Sequence, residues 1–176
     1  MNESFEGFSR RHREGLISAI SVGVFFILVG AIFLTTPNLF NNIIDFFSNF
    51  DLVHVPHLDN VYLPAPVHPF SSTNRVVYTA VEQFSYAWGL FQLVILALRF
   101  VARSPLNKDA ETVSNIVFWV GTGYLIRTFL IETIRLPLLT GLTRWFVFWA
   151  GIIMLLGVSL IIRAIVLAAA STRYVT

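Results

Sequence analysis

Four long runs of apolar residues divide this chain, and shorter polar segments separate them. The runs cover about residues 16–36, 76–98, 112–131 and 145–162. A helix that crosses a bilayer needs about 20 mostly apolar residues, at about 1.5 Å of rise each. The runs are continuous rather than alternating, which favours helices over the strands of a membrane barrel. We therefore expect an all-α, integral membrane four-helix bundle, with residues 1–176 forming a single membrane domain.

Composition supports the same class of protein. Hydrophobic residues make up 56% of the chain and charged residues 12%, with a mean hydropathy of +0.72. A soluble domain has about 25% charged residues because its surface must face water. A chain with so few charges needs a different solvent around it, and the lipid bilayer is the partner that this composition predicts.

The positions of the basic residues predict an orientation in the cell membrane. On one side of the predicted spans lie Arg10, Arg11, Arg13, Arg99, Arg103, Lys108, Arg163 and Arg173. On the other side lie Arg75, Arg135 and Arg144. Because cytoplasmic loops carry the excess of lysine and arginine, we expect both termini in the cytoplasm. The net charge of +2 then reflects a face towards anionic lipid and calls for no nucleic-acid partner.

Residues 38–74 form the longest segment outside the predicted spans, and their first part has the pattern of an amphipathic helix. Leu39, Ile43 and Phe46 recur at helical spacing, with asparagine and aspartate on the opposite side. Asn38 stands where a capping residue is expected. We expect an external helix that lies in the membrane interface. A helix that covers the bundle or contacts a partner subunit would have the same pattern.

The rest of this segment is rich in proline and predicts a loop, with Asp59-Asn60 as the candidate turn of a short hairpin. Its weak candidates for metal ligands are His54, His57, Asp59 and His68. Pro56 argues against the helix that would point the first two histidines the same way. A surface loop or docking segment is the favoured interpretation, and we predict no metal or other cofactor. The chain has no cysteine, which excludes disulfides and thiolate ligands.

A glutamate within the second apolar run is the most unusual charged residue. On a helical wheel Glu82 shares a polar stripe about 60° wide with Arg75, Thr79 and Tyr86. Arg127 lies at a similar depth in the third run, and a short link predicts that these two helices are antiparallel neighbours in the bundle. Opposite charge, equal depth and adjacency predict an ion pair between Glu82 and Arg127.

Three interpretations of this pair stay open. It fixes two helices against each other, it forms a proton or cation site, or Arg127 reaches the headgroups alone. The first is favoured. Motifs of phosphate-binding loops, serine hydrolases and zinc enzymes are absent. The chain is therefore predicted to be non-enzymatic: an accessory, scaffolding or interaction subunit in a homo-oligomer or a larger membrane complex. The alternative is a small oligomeric transporter or channel that uses Glu82 and Arg127.

Small residues at helical spacing predict close helix packing. Ala19 and Gly23 lie four residues apart in the first run, and Gly121 and Gly123 lie in the third. Small side chains allow two helix backbones to approach each other within a membrane.

Overall fold

A computed structural model describes residues 2–56, 58–102, 104–132 and 141–171, with only the backbone for residues 2–13 and 170–171. The described chain is mostly helical. Its elements are α1 (Asn2–Thr35), α2 (Leu39–Ser48), β1 (Phe50–His54), β2 (Tyr62–Pro66), α3 (Ser72–Ala102), α4 (Leu106–Leu125) and α5 (Leu142–Ser171). The helix α4 continues into a π-helix, Ile126–Ile131.

In the described part of the chain, four helices are long and apolar enough to cross a membrane. The candidate spans comprise 22 residues in α1, 31 in α3, 26 in α4 with the π-helix, and 28 in α5. A local cap marks the start of α3. The Ser71 hydroxyl accepts a hydrogen bond from the Asn74 backbone N–H, which lets α3 begin several residues before its apolar run.

The long helices form a row rather than a closed bundle. Among the described residues, α3 packs against α4 in the middle, α1 packs mainly against α3, and α5 packs against α4 and the π-helix. The three-residue connection between α3 and α4 makes these two helices antiparallel neighbours. The outer helices α1 and α5 consequently keep most of their surface exposed.

The helix α2 follows the predicted amphipathic pattern, but its cap differs from the prediction. Leu39 and Phe46 are buried, whereas Phe40 and Phe47 are exposed on another side of the helix. Asn38 occupies the cap position with φ 54°, and its side chain makes no capping hydrogen bond. Asn38 therefore holds the predicted cap position, but it does so with a left-handed backbone that turns the chain from α1 into α2, and not through a side-chain hydrogen bond.

The segment after α2 forms a β-hairpin, so the described fold is not helical throughout. Strands β1 and β2 pair antiparallel, with Leu52 opposite Pro64. The connection between the strands, residues 55–61, contains Asn60 at φ 60°, a left-handed conformation that asparagine adopts more readily than most residues. Prolines in β2 are tolerated because a two-stranded sheet has a free edge.

The hydrophobic core lies where α2 and the hairpin meet the long helices. We call this end of the row the hairpin end, and the opposite end, at the α3–α4 connection, the link end. The buried cluster comprises Phe46, Ala65, Val77, Tyr78, Ile126, Leu130, Trp145 and Phe148. These residues come from five different elements, so the core joins α2 and the hairpin to α3, the π-helix and α5.

Candidate functional site

An ion pair connects α3 to the π-helix near the hairpin end. The Arg127 guanidinium Nη1 lies 3.3 Å from Glu82 Oε1. The Glu82 side chain is 9% exposed, whereas the Arg127 side chain is 58% exposed. The carboxylate is therefore held inside the contact between the helices, and the guanidinium lies over it at the surface.

A second carboxylate binds the same guanidinium. Arg127 Nε donates a hydrogen bond of 2.9 Å to Glu132 Oε1. Residues five apart on an α-helix lie about 140° apart around the axis, too far for this pair. The π-helix, in which the Glu132 N–H donates to the Arg127 carbonyl at 2.8 Å, brings both side chains to the same face. Two carboxylates and one guanidinium give Glu82, Arg127 and Glu132 together a formal charge of one negative unit.

Close packing between α3 and α4 sets the register of this ion pair. Gly89 lies so near α4 that an added Cβ would be 2.8 Å from Val120 Cγ2. One turn closer to the hairpin end, the Tyr86 ring lies against Gly123, with 3.0 Å to an added Cβ. Successive contacts on α3 thus meet successive contacts on α4, and the next position in this series is occupied by Glu82 and Arg127.

The predicted polar stripe of α3 divides between two surroundings. Glu82 and Tyr86 face α4 and the π-helix. Arg75 and Thr79 instead line a groove between α3 and the end of α1. The stripe is about 60° wide on a helical wheel. Some of its side chains therefore face α4 and the π-helix, and others face the end of α1.

A buried polar cluster at the link end did not emerge from the sequence as a site. Arg99 is 9% exposed and donates hydrogen bonds to the Lys108 carbonyl and to Thr112 Oγ1, the latter at 2.6 Å. Asp109 is 7% exposed, and its Oδ1 has no hydrogen-bond partner within the described part of the chain. Arg99 and Glu14 are its charged neighbours. Arg99 looks from sequence like an ordinary basic residue at a helix end, and only its burial shows that it joins α3 to α4.

The candidate metal ligands do not form a recognisable metal site. His54 lies on β1 with its ring 5.5 Å from that of Tyr62, and His68 is exposed before α3. His57 lies outside the described residues. Among those that are described, no group of three or more histidines, cysteines, aspartates or glutamates is placed to hold a metal ion.

Comparisons with protein-family models, with curated proteins and with solved structures found no match for this chain. The geometry of the chain itself is therefore the basis of the functional argument.

Proposed function

We propose that this chain is an integral membrane protein of the cell membrane with four spans and both termini in the cytoplasm. Four helices of sufficient length and apolar character support this proposal. So do exposed side chains such as Leu34, Ile153 and Met154, which are 90%, 71% and 68% exposed. Apolar surface of this extent is unfavourable in water and favourable in lipid. The hairpin end then faces outward, because the sequence assigns most basic residues to the opposite side of the predicted spans, the side of the link between α3 and α4.

Its proposed role is that of a non-enzymatic accessory, scaffolding or interaction subunit. The exposure of the outer helices is the observation that carries this proposal. In the most apolar stretches of α1 and α5, 6% of the residues are buried, against 22% in α3 and 28% in α4. Helices at the ends of a row are available to lipid and to the helices of another subunit.

The surface of α1 offers a place where another helix would fit closely. Gly15, Ala19, Gly23 and Gly30 lie on one side of α1, away from its contact with α3. At the three glycines, an added Cβ would meet no other described atom within 4 Å. Small residues on an open helix face allow the close backbone approach that stabilises helix pairs in membranes.

Purification in mild detergent tests the proposed role. We expect the chain to co-purify with another subunit or with a second copy of itself, at a fixed stoichiometry. Gly23→Leu should remove that partner, whereas Ala31→Leu adds similar bulk to a different exposed face of α1 and should retain it. A monomer with no partner for the unaltered chain, in detergent and in lipid nanodiscs, would contradict the role.

Topology is tested separately with single cysteines, since the chain has none of its own. Cysteines in place of Ser9, Ser72 and Ser171 are exposed to a membrane-impermeant thiol reagent on intact cells. We expect labelling at position 72 alone. Labelling at position 9 would reverse the proposed orientation, and recovery of the chain in the soluble fraction would refute membrane insertion.

A transporter or channel is the second candidate, and the exposure of Arg127 is the observation that favours it. A guanidinium at the surface of a span is accessible to a neighbouring copy, which would let an oligomer assemble a path beside Glu82. A purely structural pair makes a different prediction. Glu82→Leu and Arg127→Leu should then each lower the folded yield, and the double variant should recover much of it.

Flux measurements separate the two candidates. In a transporter, Glu82→Gln keeps the folded yield and abolishes ion or proton flux in reconstituted vesicles. In an accessory subunit, vesicles containing the unaltered chain show no flux above protein-free vesicles. Additive losses in the double variant, with no recovery, would contradict the structural role of the pair.

A further inference from the structure

A polar groove lies between the end of α1 and the start of α3. Its volume is about 500 Å³. The lining residues are Thr35, Thr36, Pro37, Ser72, Arg75, Val76, Thr79 and Gln83. They include one cation, four hydroxyl groups and one amide, and no acidic residue. The groove therefore presents a positive charge surrounded by neutral hydrogen-bonding groups.

The polar side chains of this groove have their hydrogen-bonding capacity available. Within the described part of the chain, the exposed Arg75 guanidinium makes no ion pair or hydrogen bond. The Thr35 hydroxyl donates to the Ala31 carbonyl at 2.8 Å, which leaves its oxygen free to accept. An arginine without a carboxylate partner, beside several hydroxyls, is suited to an oxyanion such as a phosphate.

The level of the groove in a bilayer determines which kind of phosphate, lipid or free, is available to it. Thr35 is the last residue of α1 and Ser72 the first of α3, so both candidate spans have an end here. In a bilayer, the ends of spanning helices lie at the level of the lipid headgroups. The phosphates at that level belong to phospholipids, and they are far more concentrated there than free anions.

An apolar track continues from the groove along the same face of α3. Thr79, Gln83, Ala87, Leu90 and Val94 follow one another at spacings of three and four residues, so they share one side of the helix. Leu90 is 59% exposed and Val94 is 52% exposed. This track leads from the polar groove towards the middle of the span, which is the course that the acyl chains of a lipid follow.

We propose that this groove is a phospholipid-binding site. Arg75 binds the lipid phosphate, the hydroxyls of Ser72 and Thr79 donate to its remaining oxygens, and an acyl chain lies along Leu90 and Val94. The site rests on the membrane insertion proposed above, but on neither the accessory role nor the transporter role. Its occupant is a lipid, since the headgroup phosphates at the level of the groove supply the counter-ion for Arg75.

Native mass spectrometry of the full chain, purified in detergent and stripped of lipid, tests the site. The probes are dioleoylphosphatidylglycerol, dioleoylglycerol with the same acyl chains and no phosphate, and inorganic phosphate. We expect one tightly bound phosphatidylglycerol, weaker binding of dioleoylglycerol, and no displacement by inorganic phosphate. Arg75→Gln should weaken phosphatidylglycerol binding about tenfold, since a charge-assisted contact is lost, and Arg75→Lys should weaken it less.

Matched controls keep the result specific. Lys108→Gln removes an exposed cation at the link end, paired with Glu111, and should leave this binding unchanged. Because Arg75 is exposed, its variants should keep the unfolding midpoint of the unaltered chain. A phosphatidylglycerol with a photoreactive acyl chain should label the 90–94 segment of α3 in the unaltered chain, and label it less in Arg75→Gln.

Three outcomes would overturn the proposal. They are equal phosphatidylglycerol binding by Arg75→Gln and the unaltered chain, equal binding of dioleoylglycerol, and displacement of the lipid by inorganic phosphate. Failure of membrane insertion gives a different result, because the chain would then be found in the soluble fraction of the cells. A chain that is inserted in membranes but binds lipid equally well without Arg75 refutes this site alone.

Discussion

The contact between Gly89 and Val120 offers a direct test of how α3 and α4 are held in register. In Gly89→Ala the new Cβ would lie 2.8 Å from Val120 Cγ2 and 3.2 Å from the Val120 backbone nitrogen. Valine in a helix is largely confined to one χ1 rotamer, so its methyl group cannot turn away. The two helices must therefore separate, and the contact of Glu82 with Arg127 lengthens with them.

Two opposing contributions determine the expected magnitude. Overpacking a close contact costs about 1–3 kcal/mol. Replacing glycine by alanine within a helix contributes about 1 kcal/mol in the other direction. Gly157→Ala, in α5, receives only the second contribution, because no described atom lies within 4 Å of its added Cβ. The free energy of unfolding of Gly89→Ala should thus be lower than that of Gly157→Ala by about 1–3 kcal/mol.

Unfolding in mixed micelles with increasing denaturing detergent measures this difference. Tryptophan fluorescence reports the transition, since Trp119 lies beside the contact, with its Cβ 3.4 Å from the added atom. The further change Val120→Ala removes the clashing methyl group and should restore part of the loss in Gly89→Ala. Equal stability of Gly89→Ala and Gly157→Ala, or no restoration by Val120→Ala, would refute the close contact.

Three further tests, each comparing two substitutions, address other parts of the fold. Thr112→Val removes a hydrogen-bond acceptor of Arg99 and should lower the free energy of unfolding by about 1.5–3 kcal/mol. Thr112→Ser keeps the hydroxyl and should lower it less. Equal losses in the two variants would contradict the hydrogen bond. Phe46→Asp should lower the folded yield in size-exclusion chromatography far more than Asp45→Ala, and equal effects would argue against an amphipathic α2. Asn60 has a left-handed backbone with φ 60°, which glycine adopts freely and valine does not. Asn60→Gly should therefore keep the midpoint of thermal unfolding, and Asn60→Val should lower it. An unchanged midpoint in Asn60→Val would refute a left-handed residue in the hairpin turn.

The long helices could be predicted because their signal is spread over many residues. A run of about 20 apolar residues has few structural solutions other than a spanning helix. Depth and adjacency, the two quantities that place Glu82 opposite Arg127, can also be read from the chain. Depth follows from counting residues at a constant rise, and adjacency follows from a short connection that reverses the chain.

Other features depend on backbone geometry or on packing that the chain does not display locally. The pair of Arg127 and Glu132 requires a π-helix, and a spacing of five residues gives no sign of one on an ordinary α-helix. Asn38 has a residue type that suits both a cap and a left-handed turn, and its φ decides between them. The order of helices in a row depends on which faces meet, and nearly uniform apolar helices leave that choice open.

The vertical distribution of charge bears on the choice between the two proposed functions. Each of the four long helices has one long stretch without charged residues: residues 15–35, 83–98, 112–126 and 145–162. At about 1.5 Å of rise per residue, even the shortest of these stretches is about 22 Å long. A proton relay that crosses a membrane places acidic or histidine side chains along its route. Assembly of identical copies adds no acidic or histidine side chain to these charge-free stretches. An oligomer would therefore have Glu82 at one end of them and Asp109 at the other, with neutral side chains between. Two charged clusters separated in this way are better suited to fixing α3 and α4 at both ends, which favours the accessory role over a carboxylate relay.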